Sequence, residues 1–163
     1  MAFERFVDAL EYPMFVVTAV HRETGERAGC LVGFASQCSI DPARFLVCIS
    51  TANHTHRVAS ASPLLAVHAL GVDQRELAEL FGELTGDTVD KFARCRWEPG
   101  ESGIPLLTDC PQRFVGTVLH RLENLGDHTG FVLAPRESAD DEPYEGGLLM
   151  FSDTRDMQPG HPA

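Results

Sequence analysis

The chain has no stretch approaching the roughly 20 apolar residues that a membrane-spanning helix requires. Its five cysteines form no C-x-x-C pair, and no G-x-G-x-x-G, P-loop or G-x-S-x-G pattern is present. The common phosphate-cradling turns and the strained nucleophile elbow are therefore excluded. Basic side chains are few. Thirteen Lys and Arg stand against 24 Asp and Glu, and the net charge of -11 opposes general binding to nucleic acid or to an anionic membrane. Internal repeats and low-complexity segments are lacking, and so is the regular strand–helix alternation of a doubly wound parallel sheet. The opening MAFERFVDALEYP is interrupted by Glu4, Arg5, Asp8 and Glu11, so it lacks the apolar core of a secretory signal. An odd number of cysteines, three of them in apolar segments, fits reduced thiols, and the expectation is a cytoplasmic protein. Cys95, Cys110, His54 and His56 lack the paired spacing of a zinc site, so no metal is expected.

What remains is one domain's length of ordinary globular sequence: 163 residues, 44% hydrophobic. A core over about 12–135 is expected, followed by an acidic loop at 137–147 and a tail at 153–163. MFVVTAV (14–20) is β-branched and aromatic and reads as a strand running into a hairpin turn at HRETGER. AGCLVGFASQCSIDP (28–42) reads as a second strand ended by Asp41-Pro42, and RFLVCIS (44–50) as a third. TANHTHRVASAS (51–62) is a polar loop becoming a short helix, and PLLAVHAL (63–70) a strand. Asp73 and Glu76 suggest a capping box for a helix carrying Leu77, Leu80, Phe81 and Leu84 on one face. TVDKFAR suggests a further short turn, and CRWEPGESGIP (95–105), with two prolines and two glycines, a loop. RFVGTVLHRLENL and HTGFVLAP flank a Gly126-Asp127 turn, and GLLMFS is a possible last strand. Six or seven mostly antiparallel strands with short helices point to a small barrel, whose closure removes exposed edges.

Three groups of residues carry chemistry. In the first, Leu31, Gly33 and Ala35 leave one strand face without large side chains, so a flat ligand could lie close to the backbone, and Ser36, Gln37 and Ser39 could bond its polar edge. The same residues suit a strand that narrows against a neighbour before a turn. The second runs from Ser50 through Thr51, Asn53, His54, Thr55 and His56 to Arg57, where a strand hands over to a helix. Unpaired N–H groups, hydroxyls and a guanidinium there suit a phosphate, and equally an ordinary capped loop. The third is Gly126-Asp127-His128, where an imidazole beside a hairpin turn could meet a substrate or simply stand in solvent.

Taken in this order, the segments VVTA (16–19), AGCLVGFASQCSIDP, FLVCIS with Asn53 and Thr55, LAVHAL, ELAELFG, DKFAR with Trp97, and Gly126-Asp127-His128 resemble the flavin reductase-like family of FMN-binding split barrels. The resemblance implies a mainly β, six-stranded antiparallel Greek-key barrel with a few short helices, paired as a homodimer. It also implies FMN as cofactor, with FAD as the other flavin admitted, and NADH or NADPH as the hydride source. A flavin-dependent monooxygenase is the implied recipient, or else a small acceptor. Mapped by position, Gly33, Phe34, Ala35, Ser36, Gln37, Cys38 and Ser39 would lie along the flavin ring. Ser50, Thr51, Asn53, Thr55, His56 and Arg57 would hold its ribityl-phosphate end, Phe81 and Gly82 would approach it, and His128 would stand where nicotinamide meets flavin. Ala43, Leu133 and Ala134 depart from the family pattern. A non-catalytic flavin carrier or redox sensor, or a barrel adapted to deazaflavin or haem, are the alternatives.

Overall fold

In the computed structural model, which describes residues 1–138 and 144–160, nearly every apolar run read above becomes a strand. Strands β1 (Phe15–Val20), β2 (Arg27–Val32), β3 (Ala35–Ser39), β4 (Arg44–Ser50), β5 (Leu64–Ala69), β8 (Arg113–Leu122) and β9 (His128–Ser138) form one antiparallel sheet. Its order is β2-β1-β5-β8-β9-β4-β3. The two outermost strands are consecutive in the chain, with only Gly33 and Phe34 between them. The sheet must therefore curl so that β2 comes beside β4, and the Cys48 N–H carries the β3–β4 ladder into the connection by donating to the Phe34 carbonyl at 2.8 Å. The expected six strands become seven because the stretch 28–42 is not one strand. The backbone turns at Gly33-Phe34, and its second half changes partner from β1 to β4.

The barrel interior is filled by Val17, Ala19, Val47, Ile49, Leu65, Val67, Phe131 and Leu133. Helix α2 (His54–Ser60) adds Val58 and Ala59 to this core. A second cluster lies outside β1, where Val16, Leu70 and Leu107 meet Ala78 and Phe81 of helix α3 (Arg75–Glu83). Buried on both faces, β1 reads as a continuous apolar run rather than an alternating one.

Four local expectations change. The stretch 95–105 is not loop throughout: β6 (Trp97–Pro99) and β7 (Pro105–Leu107) form a two-stranded hairpin. It is held by side chains from elsewhere, with Thr18 Oγ1 donating to the Pro105 carbonyl at 2.6 Å and the Leu107 N–H donating to His68 Nε2 at 3.0 Å. Helix α3 begins at Arg75 with no side-chain cap, and the expected Asp73 box does not form. Gln74 instead ties the Gly71 N–H to the Asp109 carbonyl through its amide. GLLMFS makes only single bridges, Gly71 to Leu148 and Pro13 to Met150, before a 3₁₀ turn at Phe151–Thr154. Helix α1 (Ala2–Asp8), for which no element was expected, buries none of its residues. The acidic loop falls partly on 139–143 and the tail partly on 161–163, which lie outside the described residues.

His68 is fully buried. Its Nδ1–H donates to the Val16 carbonyl at 3.0 Å while Nε2 accepts from Leu107, which defines a neutral Nδ1–H tautomer. Burial holds its pKa down to about 4. The unfolded chain binds a proton near pH 6.5 that the fold excludes, so this contribution to stability is complete above that pH. It is lost as pH falls toward about 4, by roughly 3 kcal/mol in all. Imidazole ¹⁵N NMR at about pH 5 is expected to show His68 still neutral; a protonated signal in the folded protein would contradict this.

Candidate functional site

Two adjoining cavities of about 370 Å³ and 430 Å³ form a trough along β2. They share Met14, Leu31, Asn53, Phe151 and Pro159. One end is lined by Gly33, Phe34, Cys48, Ser50 and His128, the other by Phe81, Gly82, Thr154, Arg155 and Met157. Side chains pack closely over two glycines of the wall. A Cβ on Gly33 would stand 2.7 Å from Tyr12 Cε2, and one on Gly82 would stand 2.8 Å from Leu31 Cδ2 and 3.0 Å from Met157 Cε.

The rim is aromatic. Phe34 and His128 approach with ring centroids 5.1 Å apart, and Tyr12 stacks on Phe151 at 4.8 Å and 17°. His128 is register partner of Ser50 across β4 and β9, which explains why residues 78 positions apart in sequence line one cavity. Gly126 turns the hairpin with φ +105, a conformation that favours glycine. Its neighbour Asp127 contacts His128 Nδ1 at 2.7 Å, and that contact holds the Asp127 carboxyl below its ordinary pKa. The Asp127 carbonyl accepts from both the N–H and the Oγ1 of Thr51, clamping the two loops together.

The expected site residues are thus divided. Gly33, Phe34, Ser50, Asn53, Phe81, Gly82 and His128 meet in the trough. Ala35, Ser36, Gln37, Cys38 and Ser39 continue along β3, whose outer edge is unpaired and whose middle three residues are exposed. Thr55 is 1% exposed, with its hydroxyl bonded to the Cys30 thiol in the core. Burial pushes that thiol up to about 11, so it stays protonated. His56 turns under the barrel, Nε2 meeting Thr129 Oγ1 at 2.8 Å. Arg57 faces solvent and pairs with Glu26 at 2.9 Å.

Sequence reasoning missed the second wall. Tyr12, Met14, Phe151, Arg155, Met157 and Pro159 come from opposite ends of the chain, brought together by the Pro13–Met150 bridge and the hydrogen bonds on either side of it. No local pattern announces such a pairing. A third cavity, of about 480 Å³, lies beside Gly29 and Lys91 and shares no lining residue with the trough except Asn53's neighbour-free set: none. There His54, read above as part of the Ser50–Arg57 group, bridges Glu26 at 3.1 Å and Asp87 at 2.7 Å. That contact lowers the Asp87 pKa.

The fold is a curled antiparallel barrel that carries a glycine-walled, aromatic-rimmed trough on its surface. The family model for the flavin reductase like domain matches residues 7–158, and the chain belongs to that family. It is 30% identical over 102 residues to an FMN reductase (NADH), RutF, of Stutzerimonas stutzeri, covering 63% of this chain and 58% of the relative. It is 25% identical over 135 residues to the 4-hydroxyphenylacetate 3-monooxygenase reductase component of Klebsiella oxytoca, covering 81% and 78%. Among solved structures, the flavin reductase domain protein of Arthrobacter sp. FB24 superposes with a TM-score of 0.80 at 20% identity, covering 99% of this chain and 94% of that one, a likeness of fold.

Because Thr55 lies in the core, Thr55→Ala is expected to lower unfolding free energy by about 1 kcal/mol and to leave the ratio of FMN to riboflavin affinity unchanged. Denaturant unfolding and fluorescence titration check the two halves. A selective loss of FMN would show that the hydroxyl reaches the ligand.

Proposed function

We propose that this protein is an NAD(P)H:flavin oxidoreductase, using FMN in the trough and passing reducing equivalents to a flavin-dependent monooxygenase or a small acceptor. The observation that carries the reading is the meeting of Gly33, Phe34 and His128 with Ser50 and Asn53 around one slot, in a chain of this family. The donor set fits a flavin: glycine on the wall for close approach, an apolar floor of Met14 and Leu31, an aromatic rim, and hydroxyl and amide groups at one edge. FAD is the other flavin this slot would admit.

When bound, the flavin supplies the hydride acceptor that no side chain can provide. The protein's own groups orient and exclude. Gly33 and Phe34 would flank the ring, and Met14 and Leu31 would help keep water from it. Ser50 Oγ already accepts from the Ala52 N–H at 3.3 Å and keeps its own proton to donate. His128, held by Asp127 and packed on Phe34, stands at the open side of the slot and would seat the nicotinamide.

The exposed edge of β3 supports a homodimer as the working form. Phe34 is 56% and Ile40 85% exposed beside that unpaired edge, and unpaired edges with apolar neighbours are normally covered. Ser36, Gln37, Cys38 and Ser39 would then reach the ring through, or across, that interface. The five free cysteines fit a reducing compartment such as the cytoplasm. Among the described residues no helix is long and apolar enough to cross a membrane.

Titration of the purified protein with FMN is expected to change flavin fluorescence saturably, and added FMN to give rapid NADH or NADPH oxidation. Binding without turnover would favour a carrier, and no binding would remove the reading. His128→Ala is expected to lower kcat/KM for the nicotinamide nucleotide about tenfold while FMN affinity holds; an unchanged kcat/KM would take His128 out of the site.

A further inference from the structure

A phosphate-bearing ligand on a protein of net charge -11 needs a local cation. The basic groups nearest the trough are already committed. Arg57 is paired with Glu26 at 2.9 Å, and Arg75 with Glu79 and Asp156 at 2.8 Å each. Lys91 is buried, donates to the Gly29 and Phe81 carbonyls at 2.9 and 3.1 Å, and lines the third cavity rather than the trough. Among the described residues, Arg155 is the only lysine or arginine lining either part of the trough.

Arg155 is held where it is by its own segment. The 3₁₀ turn before it is fastened by Phe151 stacked on Tyr12 and by Thr154 Oγ1 donating to the Phe151 carbonyl at 2.9 Å. The residues after it are fastened by Asp156 on Arg75, by the Gln158 N–H on Glu83 at 3.2 Å, and by the Gly160 N–H on the Gly82 carbonyl at 3.3 Å. Its guanidinium carbon lies 4.9 Å from the centre of the Phe151 ring, and Nη2 donates to the Asp8 carbonyl at 3.0 Å. No carboxylate of the described residues forms an ion pair with it. The nearby Glu11 accepts from the Ser152 and Tyr12 N–H groups at 2.9 and 3.3 Å rather than from the guanidinium, and hydrogen bonding from Ser152, helped by Arg155, holds its carboxyl below its ordinary pKa. A guanidinium has five N–H donors in a fixed fork. With one of them on Asp8 and the plane carried by Phe151, the remainder are available at the end of the trough away from His128.

We propose that Arg155 is the phosphate-recognising residue of the trough, pairing with the phosphate of a bound nucleotide, that of the flavin or that of the nicotinamide nucleotide. This rests on the flavin reading above and assigns the charge that Arg57 was expected to supply. It also gives the C-terminal segment a role in ligand choice, since the same turn carries the cation and walls the slot.

Arg155→Gln keeps the stem and removes the charge. Fluorescence titration of this variant is expected to show FMN binding weakened about ten- to a hundredfold, the range of a charge-assisted hydrogen bond. Riboflavin, which lacks the phosphate, is expected to change less than about twofold, which also certifies the fold. The preference of the wild-type protein for FMN over riboflavin should shrink as salt is raised, and that of the variant should not. If the loss falls instead on the KM of NADH, with both flavins unaffected and reduced nicotinamide riboside used as well as before, the phosphate recognised is the nicotinamide nucleotide's. An equal loss for FMN, riboflavin and NADH would reveal a packing role and overturn the proposal, as would no change in any of them. Wild-type protein that binds neither flavin would overturn the flavin reading and this assignment together, whereas wild-type binding with an indifferent variant overturns the assignment alone.

Discussion

The two residues between β2 and β3 govern the rest of the molecule. A chain leaving one edge of a seven-stranded sheet at Val32 and entering the opposite edge at Ala35 leaves the sheet no choice but to close. Curling brings β4 beside β2, and the Cys48 N–H on the Phe34 carbonyl carries the β3–β4 ladder into the connection. At the crossing Gly33 has no side chain and Phe34 points outward, and the slot opens there. Fold and binding surface are consequences of one short connection.

Everything that furnishes the slot arrives by a different route. Pairing of β4 with β9 sets Ser50 opposite His128, so the imidazole is positioned by sheet register rather than by its own loop. Helix α2 packs its inner face into the barrel and leaves Asn53 at its start to look along the trough. The far wall comes from α3 and the chain ends. The polar end of the slot therefore rests on rigid elements, as a site that must hold a ring in one orientation requires.

Much of this was legible in the sequence, and the exceptions have physical causes. Runs such as RFLVCIS and PLLAVHAL declared themselves because apolar β-branched residues were bounded by turn chemistry. WEP and PLL did not, since three residues make no period and their hairpin is held by Thr18 and His68 from distant strands. Of the expected site residues, Gly33, Ser50, Asn53 and His128 line the trough, and they stand near strand ends where small and polar residues gather. Thr55 was misread although the signal existed: Thr55, Val58 and Ala59 are the i, i+3, i+4 stripe of α2, which marks the face toward the core. Arg57 lies off that stripe and meets Glu26, a pairing that only the β1–β2 hairpin creates. The contribution of the C-terminal segment was out of reach of any local pattern.

That last feature bears on how the protein comes together. Tyr12 and Phe151 touch across 139 residues of chain, so the wall they build has far greater sequence separation than the hairpins of the barrel. Contacts of that kind carry the largest loop-closure cost and form late, and the segments making them open more easily than strands of the core. The barrel can therefore persist while its binding slot is undone. A ligand seated between β2 and the chain ends would pull those ends into register with the rest of the fold by mass action alone.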